Sequence, residues 1–352
     1  MSSTHTNEPI LNILEVLRKH SDSEHTLTQK QIREYIENET GECLDRETVK
    51  RNLRKLLDSE LPVYAMKEDP SITGLYYEHD FTDGELRLLI NSVLFVDGLS
   101  DSFRHEMIGK LEKLSNKYFH STISKIDMAA YDNIENMDVL VTIENIDYAI
   151  SEDKQLEFHY CDCSKEGKLY LKTENNEVKR YVVSPYQIVS QDGHSYLLCY
   201  CEAHGEYLSH FRIDRIKDSN VLSDQPRKQL RKLKGFEGGI RLSKYLKEHP
   251  NMWAGEPVHI TFDCDRKITH DVLYKFGTSV NIEEISETIM RVRVYASEES
   301  MFHWALQYLD RQVEIISPES TREKMVKALK SICEKYNIEL KDEKAKQKGS
   351  NI

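Results

Sequence analysis

The sequence predicts a multidomain α+β chain in three blocks: a small helical unit with a β-hairpin, a run of short strands, and a module of alternating strands and helices. Three observations predict it. Apolar residues recur at helical spacing in three short N-terminal segments, and five β-rich runs lie between residues 155 and 216. A strand, helix, strand, strand, helix, strand, helix order then fills residues 255–337. At 352 residues the chain exceeds one typical core and fits two or three domains.

The first helix is expected over residues 9–20, where Ile10, Ile13, Leu14 and Leu17 form one buried stripe. Thr28 can cap a second helix that begins at Gln29 and turns Ile32, Tyr35 and Ile36 inward. Gly41 ends the connection, and Asp45 begins a third helix with apolar residues at Val49, Leu53, Leu56 and Leu57. Residues 61–66 and 74–77 read as two short strands around a polar turn at 67–71, as a wing would.

On a wheel of about 100° per residue, the apolar residues of the third helix cluster, and Glu47, Lys50, Arg51, Arg54 and Lys55 occupy the other side. A helix-turn-helix needs this division, because its second helix enters the major groove and reaches bases and phosphates with its outer side chains. A solvated amphipathic surface helix has the same pattern. The capped helix before it and the hairpin after it favour double-stranded DNA. Lys50 and Arg51 are the expected base readers, Thr28 and Gln29 expected phosphate contacts, and Arg46 and Arg54 complete the set.

The formal net charge of −12 argues against a nucleic-acid partner until its distribution is considered. Residues 45–57 carry five cations against Asp45 and Glu47. Residues 226–250 carry eight (Arg227, Lys228, Arg231, Lys232, Lys234, Arg241, Lys244, Lys247) against Glu237 and Glu248. Two basic islands sit in an acidic chain, and the second either lines a groove for a nucleic-acid effector or holds an acidic domain.

Helices over residues 84–96 and 102–119, broken at Gly98-Leu99-Ser100, are expected to connect and dimerise, since palindromic half-sites match a two-fold protein. A polar linker is expected over residues 120–137. A helix over residues 143–150, anchored by Ile146 and Ile150, leads into strands over 155–160, 177–182, 186–191, 194–201 and 208–216. Asp192-Gly193 is a hairpin signal, and strands of this spacing suggest a small barrel or strongly curved sheet.

Four runs in this block, Leu156-Glu157-Phe158-His159-Tyr160, Lys179-Arg180 with Ser184-Pro185-Tyr186, Gly193-His194-Ser195-Tyr196-Leu197, and His210-Phe211-Arg212-Ile213-Asp214-Arg215-Ile216, resemble the WYL domain in order and spacing. The namesake Trp-Tyr-Leu is here Ser195-Tyr196-Leu197, while the Phe-Arg-Ile-Asp-Arg-Ile ending is intact. The resemblance implies an Sm-like β-barrel, usually coupled to an N-terminal helix-turn-helix, with a basic-aromatic pocket that in some relatives binds nucleotides or nucleic-acid strands. The residues point the same way. In strand 208–216, His210, Arg212 and Asp214 alternate with Phe211 and Ile213, so the polar set shares one face. Arg212 can clamp a phosphate, Tyr160 or Tyr196 can stack on a base, and Arg180 is a second cation. His210 and Arg215 complete the expected effector set. The competing reading pairs Arg212 with Asp214 on an ordinary sheet face.

The C-terminal block is expected as strand 258–262, helix 268–276, strands 279–284 and 288–295, helix 300–309, strand 313–317 and helix 321–336, an order that suggests a ferredoxin-like α+β module. Trp304 with Val313-Glu314-Ile315-Ile316 is similar to the C-terminal extension of WYL regulators. The expected domains are therefore 1–80 (winged helix-turn-helix), 81–138 (helical linker and dimerisation), 139–222 (WYL), 223–254 (basic linker), 255–338 (α+β extension) and 339–352 (disordered tail).

Seven cysteines, an odd number in a long chain, fit reduced thiols. Cys161, Cys163, Cys199 and Cys201, with His159 and His194, could supply zinc or a redox pair, but Cys199 and Cys201 lack the usual zinc spacing and read as small buried hydrophobes. No uncharged apolar run of about 18 residues occurs and residues 1–9 lack a signal-peptide pattern, so the expected location is the cytoplasm. No phosphate-cradling glycine loop, metal-ligand helix pair or nucleophile motif stands in a fitting context, so no catalytic residue, metal or cofactor is expected. The expected function is DNA-binding transcriptional regulation, as a homodimeric repressor controlled by a nucleotide or oligonucleotide effector at the WYL domain. The alternatives are a nucleotide-processing enzyme and a non-transcriptional nucleic-acid-binding scaffold of a defence system.

Overall fold

A computed structural model describes residues 8–67, 72–119, 134–205 and 207–338, and the chain divides into two compact units, Met1–Asn133 and Ile134–Ile352. The expected wing turn from residue 68, most of the linker at 120–137 and the tail at 339–352 lie outside the described residues.

In the first unit, α1 (Glu8–His20), α2 (Gln29–Thr40) and α3 (Arg46–Leu57) pack around one core with the hairpin β1 (Val63–Lys67) and β2 (Thr73–Tyr77). Thr28 forms a full capping box with Gln31, and Gly41 closes α2 in the left-handed conformation, at φ 74°. Asp45 caps α3 by accepting from the Thr48 N–H. Ile13, Leu17, Ile32, Ile36, Val49, Leu53 and Leu75 are all fully buried, so the three stripes close on one another. The backbone of Leu27 also pairs with Leu75, at 2.7 and 2.9 Å, which fastens the α1–α2 connection to the hairpin. Two further helices follow, α4 (Asp83–Leu94), capped by Thr82, and α5 (Asp101–Glu112), capped by Ser100. The second ends seven residues before the expected residue 119, where consecutive turns replace it.

The second unit begins with α6 (Val139–Ser151), which packs on the strands β3 (Lys154–Cys163), β7 (Arg180–Gln191) and β10 (Ile216–Pro226). Between β3 and β7 lie the short strands β4 (Leu169–Leu171), β5 (Thr173–Glu174) and β6 (Glu177–Val178). Strands β8 (His194–Tyr200) and β9 (Ser209–Arg212) complete an antiparallel sheet of order β10-β3-β7-β8-β9, with β4 beside β3. Asp192 and Gly193 both have positive φ, 53° and 83°, as a two-residue hairpin between Gln191 and His194 requires.

Two expectations are corrected here. The strands expected at 177–182 and 186–191 are largely one strand, because Pro185 is absorbed at a register shift in β7. The strand expected at 208–216 stops at Arg212; Ile213–Arg215 is a 3-10 turn, and a new long strand begins at Ile216.

Residues expected as a basic linker are packed rather than free. Leu230, Leu233, Phe236 and Ile240, with α7 (Leu242–Glu248), join Tyr186, Leu198 and Leu208 in one cluster. The C-terminal part pairs β11 (Pro257–Asp265), β12 (Asn281–Glu284), β13 (Ile289–Ser297) and β14 (Glu314–Ser317) as an antiparallel sheet of order β12-β13-β11-β14, with α8 (Thr269–Phe276), α9 (Glu298–Leu306) and α10 (Glu319–Lys335). Ile260, Phe262 and Cys264 alternate into the core against Val292 and Trp304, while Asp263 faces out and pairs bidentately with Arg291. No helix among the described residues is long and apolar enough to cross a membrane.

Candidate nucleic-acid face and ligand site

Helix α3 buries Val49, Asn52, Leu53 and Leu56 and exposes Arg46, Arg51, Arg54 and Lys55, with Lys50 half-exposed. Arg46, Lys50, Arg51 and Arg54 make no ion pair among the described residues, so their charge is available to a polyanion. Thr28 and Gln29 are differently placed. The Thr28 hydroxyl and N–H both engage the Gln31 side chain, and the Gln29 amide donates to the Ile72 carbonyl at 2.9 Å. Their polar groups hold the helix start and the hairpin.

The six expected effector residues separate into two groups and two outliers. Arg212, the direct cross-strand partner of Tyr196, makes a bidentate bond to Asp214 at 3.0 and 2.8 Å and approaches His194 Nε2 at 3.1 Å. The 3-10 turn allows this: it folds Asp214 back onto Arg212 instead of carrying it along a strand. The Arg212 and Asp214 side chains are 29% and 11% exposed, so the pair is partly desolvated yet reachable. His194 and Tyr196 open into a cleft of about 660 Å³, also walled by Trp253 stacked on His303 and by Lys275, which bonds Asp192 at 2.7 Å.

The second group lies across the sheet. Tyr160 packs edge-on against Phe211 and Tyr181, and its hydroxyl accepts from the Arg212 N–H at 3.3 Å. The Arg215 guanidinium lies 4.8 Å and the Lys172 ammonium 5.4 Å from its ring centroid. Burial raises the Tyr160 hydroxyl pKa, with the Arg215 charge opposing it, so the phenol stays protonated. Arg215 is itself held by Asp162 and by the Cys161 carbonyl.

Arg180 and His210 lie apart from both groups. Arg180 pairs with Glu157 and points away from the face of Tyr160, because its neighbour Tyr181 occupies that face. His210 donates from Nδ1 to the Met252 carbonyl at 2.9 Å, and Nε2 meets the Tyr245 hydroxyl at 2.7 Å, so both ring nitrogens are already used. Burial, helped by neighbouring His249, lowers its pKa to about 3.

That depressed value has a measurable consequence. Unfolded His210 binds a proton below its ordinary value near 6.5 and folded His210 does not, so stability falls as pH drops from 6.5 toward 3. The loss is about 1.4 kcal/mol per unit, or about 2 kcal/mol by pH 5. Denaturant unfolding at pH 7 and pH 5 measures it, and His210→Gln should reduce the difference, leaving the part owed to His249 and His204, whose pKa values burial also lowers; an unchanged difference would place the titrating group elsewhere.

Asp162 and Lys172 are outside the set expected from sequence, which names Asp214 only as the competing partner of Arg212 and His194 only as a possible zinc ligand. His194 alternates with Tyr196 immediately after the hairpin turn, whereas Lys172 lies between two very short strands and carries no such signal. The thiols of Cys161, Cys199 and Cys201 are buried, and burial raises each pKa, against the thiolate that zinc or redox chemistry uses. Among the described residues no cluster of three His, Cys, Asp or Glu is placed to hold a metal ion.

Residues 141–221 match the WYL domain, so this part of the chain is a WYL domain. Among solved structures, the chain is similar to the proteasome accessory factor B/C (PafBC) of Arthrobacter aurescens at 16% identity, with a TM-score of 0.29, over 91% of this chain and 47% of that one. It therefore spans about half the length of that structure. A second likeness, at 17% identity and a TM-score of 0.38, is to a CRISPR Cas-related protein, over 96% of this chain and 88% of that one. No curated protein matches the chain.

Proposed function

We propose that this WYL-domain chain is a sequence-specific DNA-binding transcriptional regulator, a cytoplasmic homodimeric repressor whose hold on a double-stranded operator is set by a nucleotide or nucleic-acid-like effector. The observation that carries the reading is helix α3, apolar within and basic without, inside a unit of three helices and a hairpin. In this reading that unit is a winged helix-turn-helix and α3 enters the major groove. The sheet of the WYL domain acts as an Sm-like barrel, and the order β12-β13-β11-β14 supports a ferredoxin-like C-terminal module.

Effector sensing is assigned to His194 and Tyr196, which line the 660 Å³ cleft, and to Arg212, which meets His194 at its edge and holds Asp214. A phosphate that displaces Asp214 inherits a guanidinium already aimed and partly desolvated, and Tyr196 offers a ring to a base. Tyr160 and Arg215 support the turn from behind. Control then rests on differential affinity of the effector for two states of the protein.

Selection of bound fragments from the host genome over a salt series tests the reading. A recurrent two-fold sequence should be recovered, with affinity falling linearly in log salt. Recovery of fragments with no common sequence would reduce α3 to a non-specific surface, and turnover of a nucleotide panel by pure protein would replace regulation with catalysis.

A further inference from the structure

The stretch from Arg227 to Lys247 carries eight cations, and the fold turns most of that charge outward. Leu230, Leu233, Phe236 and Ile240 sit against Tyr186, Leu198 and Leu208 and fix the backbone as a belt. Lys228, Arg231, Lys232, Lys234, Arg241 and Lys247 are exposed, and none of the six forms an ion pair among the described residues. Within this stretch only Arg227, to Asp153, and Lys244, to Glu248, are paired. An acidic chain that gathers unpaired cations on one ordered belt carries a local self-repulsion that a polyanion relieves.

The belt runs into an aromatic cleft. Lys234, Phe236 and Lys244 line a cavity of about 260 Å³ together with Tyr207, Tyr245 and Tyr295. Tyr207 and Tyr295 are 43% and 44% exposed, and the Tyr295 ring rests against His259, 5.0 Å between centroids, with the rest of the residue open to solvent. Glu248 and Glu256 border the same cleft and supply acceptors for a base amine. Cations that track a backbone, joined to rings that take bases, are the chemistry of sequence-tolerant single-strand binding. A duplex keeps its bases stacked and unable to enter such a cleft, and an acidic peptide would use the cations but leave the rings without a planar partner.

We infer that the belt and its cleft form a second nucleic-acid surface, which binds a single strand with its phosphates along Arg231, Lys232 and Lys234 and one base among Tyr207, Phe236 and Tyr295. This surface shares no residue with the cleft beside Arg212 and does not depend on the effector assignment there.

Fluorescence anisotropy of the full chain with a labelled mixed-sequence DNA strand of about 12 nucleotides tests it, in a Lys50→Ala, Arg51→Ala background that mutes α3. Combined Arg231→Glu, Lys232→Glu and Lys234→Glu should weaken binding roughly 10-fold or more and lower the log–log salt slope by about 2. Tyr295→Ala, at an exposed position, should weaken binding about 5- to 150-fold with the slope kept. Parental binding in both variants overturns the assignment. Loss of the strand in Arg212→Ala alone would also overturn it, while leaving the effector reading intact. Competition by polyglutamate equal to that by the unlabelled strand, with Tyr295→Ala silent, would assign the belt to an acidic protein segment instead.

Discussion

Replacing Lys50 and Arg51 together with alanine should abolish sequence-specific DNA retardation while leaving the first unit folded. Both side chains leave the outer face of α3, so neither substitution opens a cavity, and alanine is the best helix former. A base contact from such a side chain contributes about 1–3 kcal/mol of discrimination, so losing two costs about 2–6 kcal/mol, roughly 30-fold to more than 10⁴-fold. Residual binding should also lose about 1.8 from its log–log salt slope if both cations release counterions on a duplex. Retardation with a salt titration reads both quantities, and a melting curve confirms the fold. Unchanged specific binding would remove α3 from the interface.

Phe158→Ala should be the most destabilising single change in the WYL domain. Phe158 is 1% exposed, stacks on Tyr181 at 5.8 Å and meets Phe211 edge-on at 5.1 Å. Truncation empties a site whose walls are rigid strands, and such changes cost about 3–5 kcal/mol. Because Tyr160 leans on the same two rings, the support behind Arg212 should loosen with it. Hydrogen exchange of the β8 and β9 amides measures the loss locally; parental protection in those strands would mean that the core is held elsewhere.

Where burial follows local periodicity, the sequence was legible. Helices α1 to α3 were readable because their apolar residues repeat at one helical face and their caps, Thr28, Gly41 and Asp45, make bonds within four residues of chain. The strand and helix order of the last module was readable for the same reason, since Ile260, Phe262 and Cys264 alternate cleanly. What stayed hidden depends on tertiary pairing. Ile213 to Arg215 has the alternation of a strand, yet the chain must turn there to start β10, and that turn decides that Asp214 meets Arg212. His210 sits on the same face as Arg212, but α7 arrives from residues 242–248 and seals it with Tyr245. Arg180 lies one residue from Tyr181, and a single step along a strand reverses its face. The cations of 227–247 were visible as charge, whereas the leucines that anchor them, Leu230 and Leu233, find partners more than 20 residues away.

The coupling of DNA release to the WYL cleft is tested most directly by operator affinity, with and without a 5′-phosphorylated dinucleotide, in the parent chain and in Arg212→Ala. The dinucleotide is too short to span the basic belt and its cleft. The parent should change its operator affinity when the dinucleotide binds, by roughly 5- to 150-fold for a coupling of ordinary size. Arg212→Ala should hold the operator within a few-fold of the parent and show no response. A folded Arg212→Ala chain that loses the operator, or one that responds to the dinucleotide as the parent does, would contradict the division between a DNA-binding unit and a WYL ligand site.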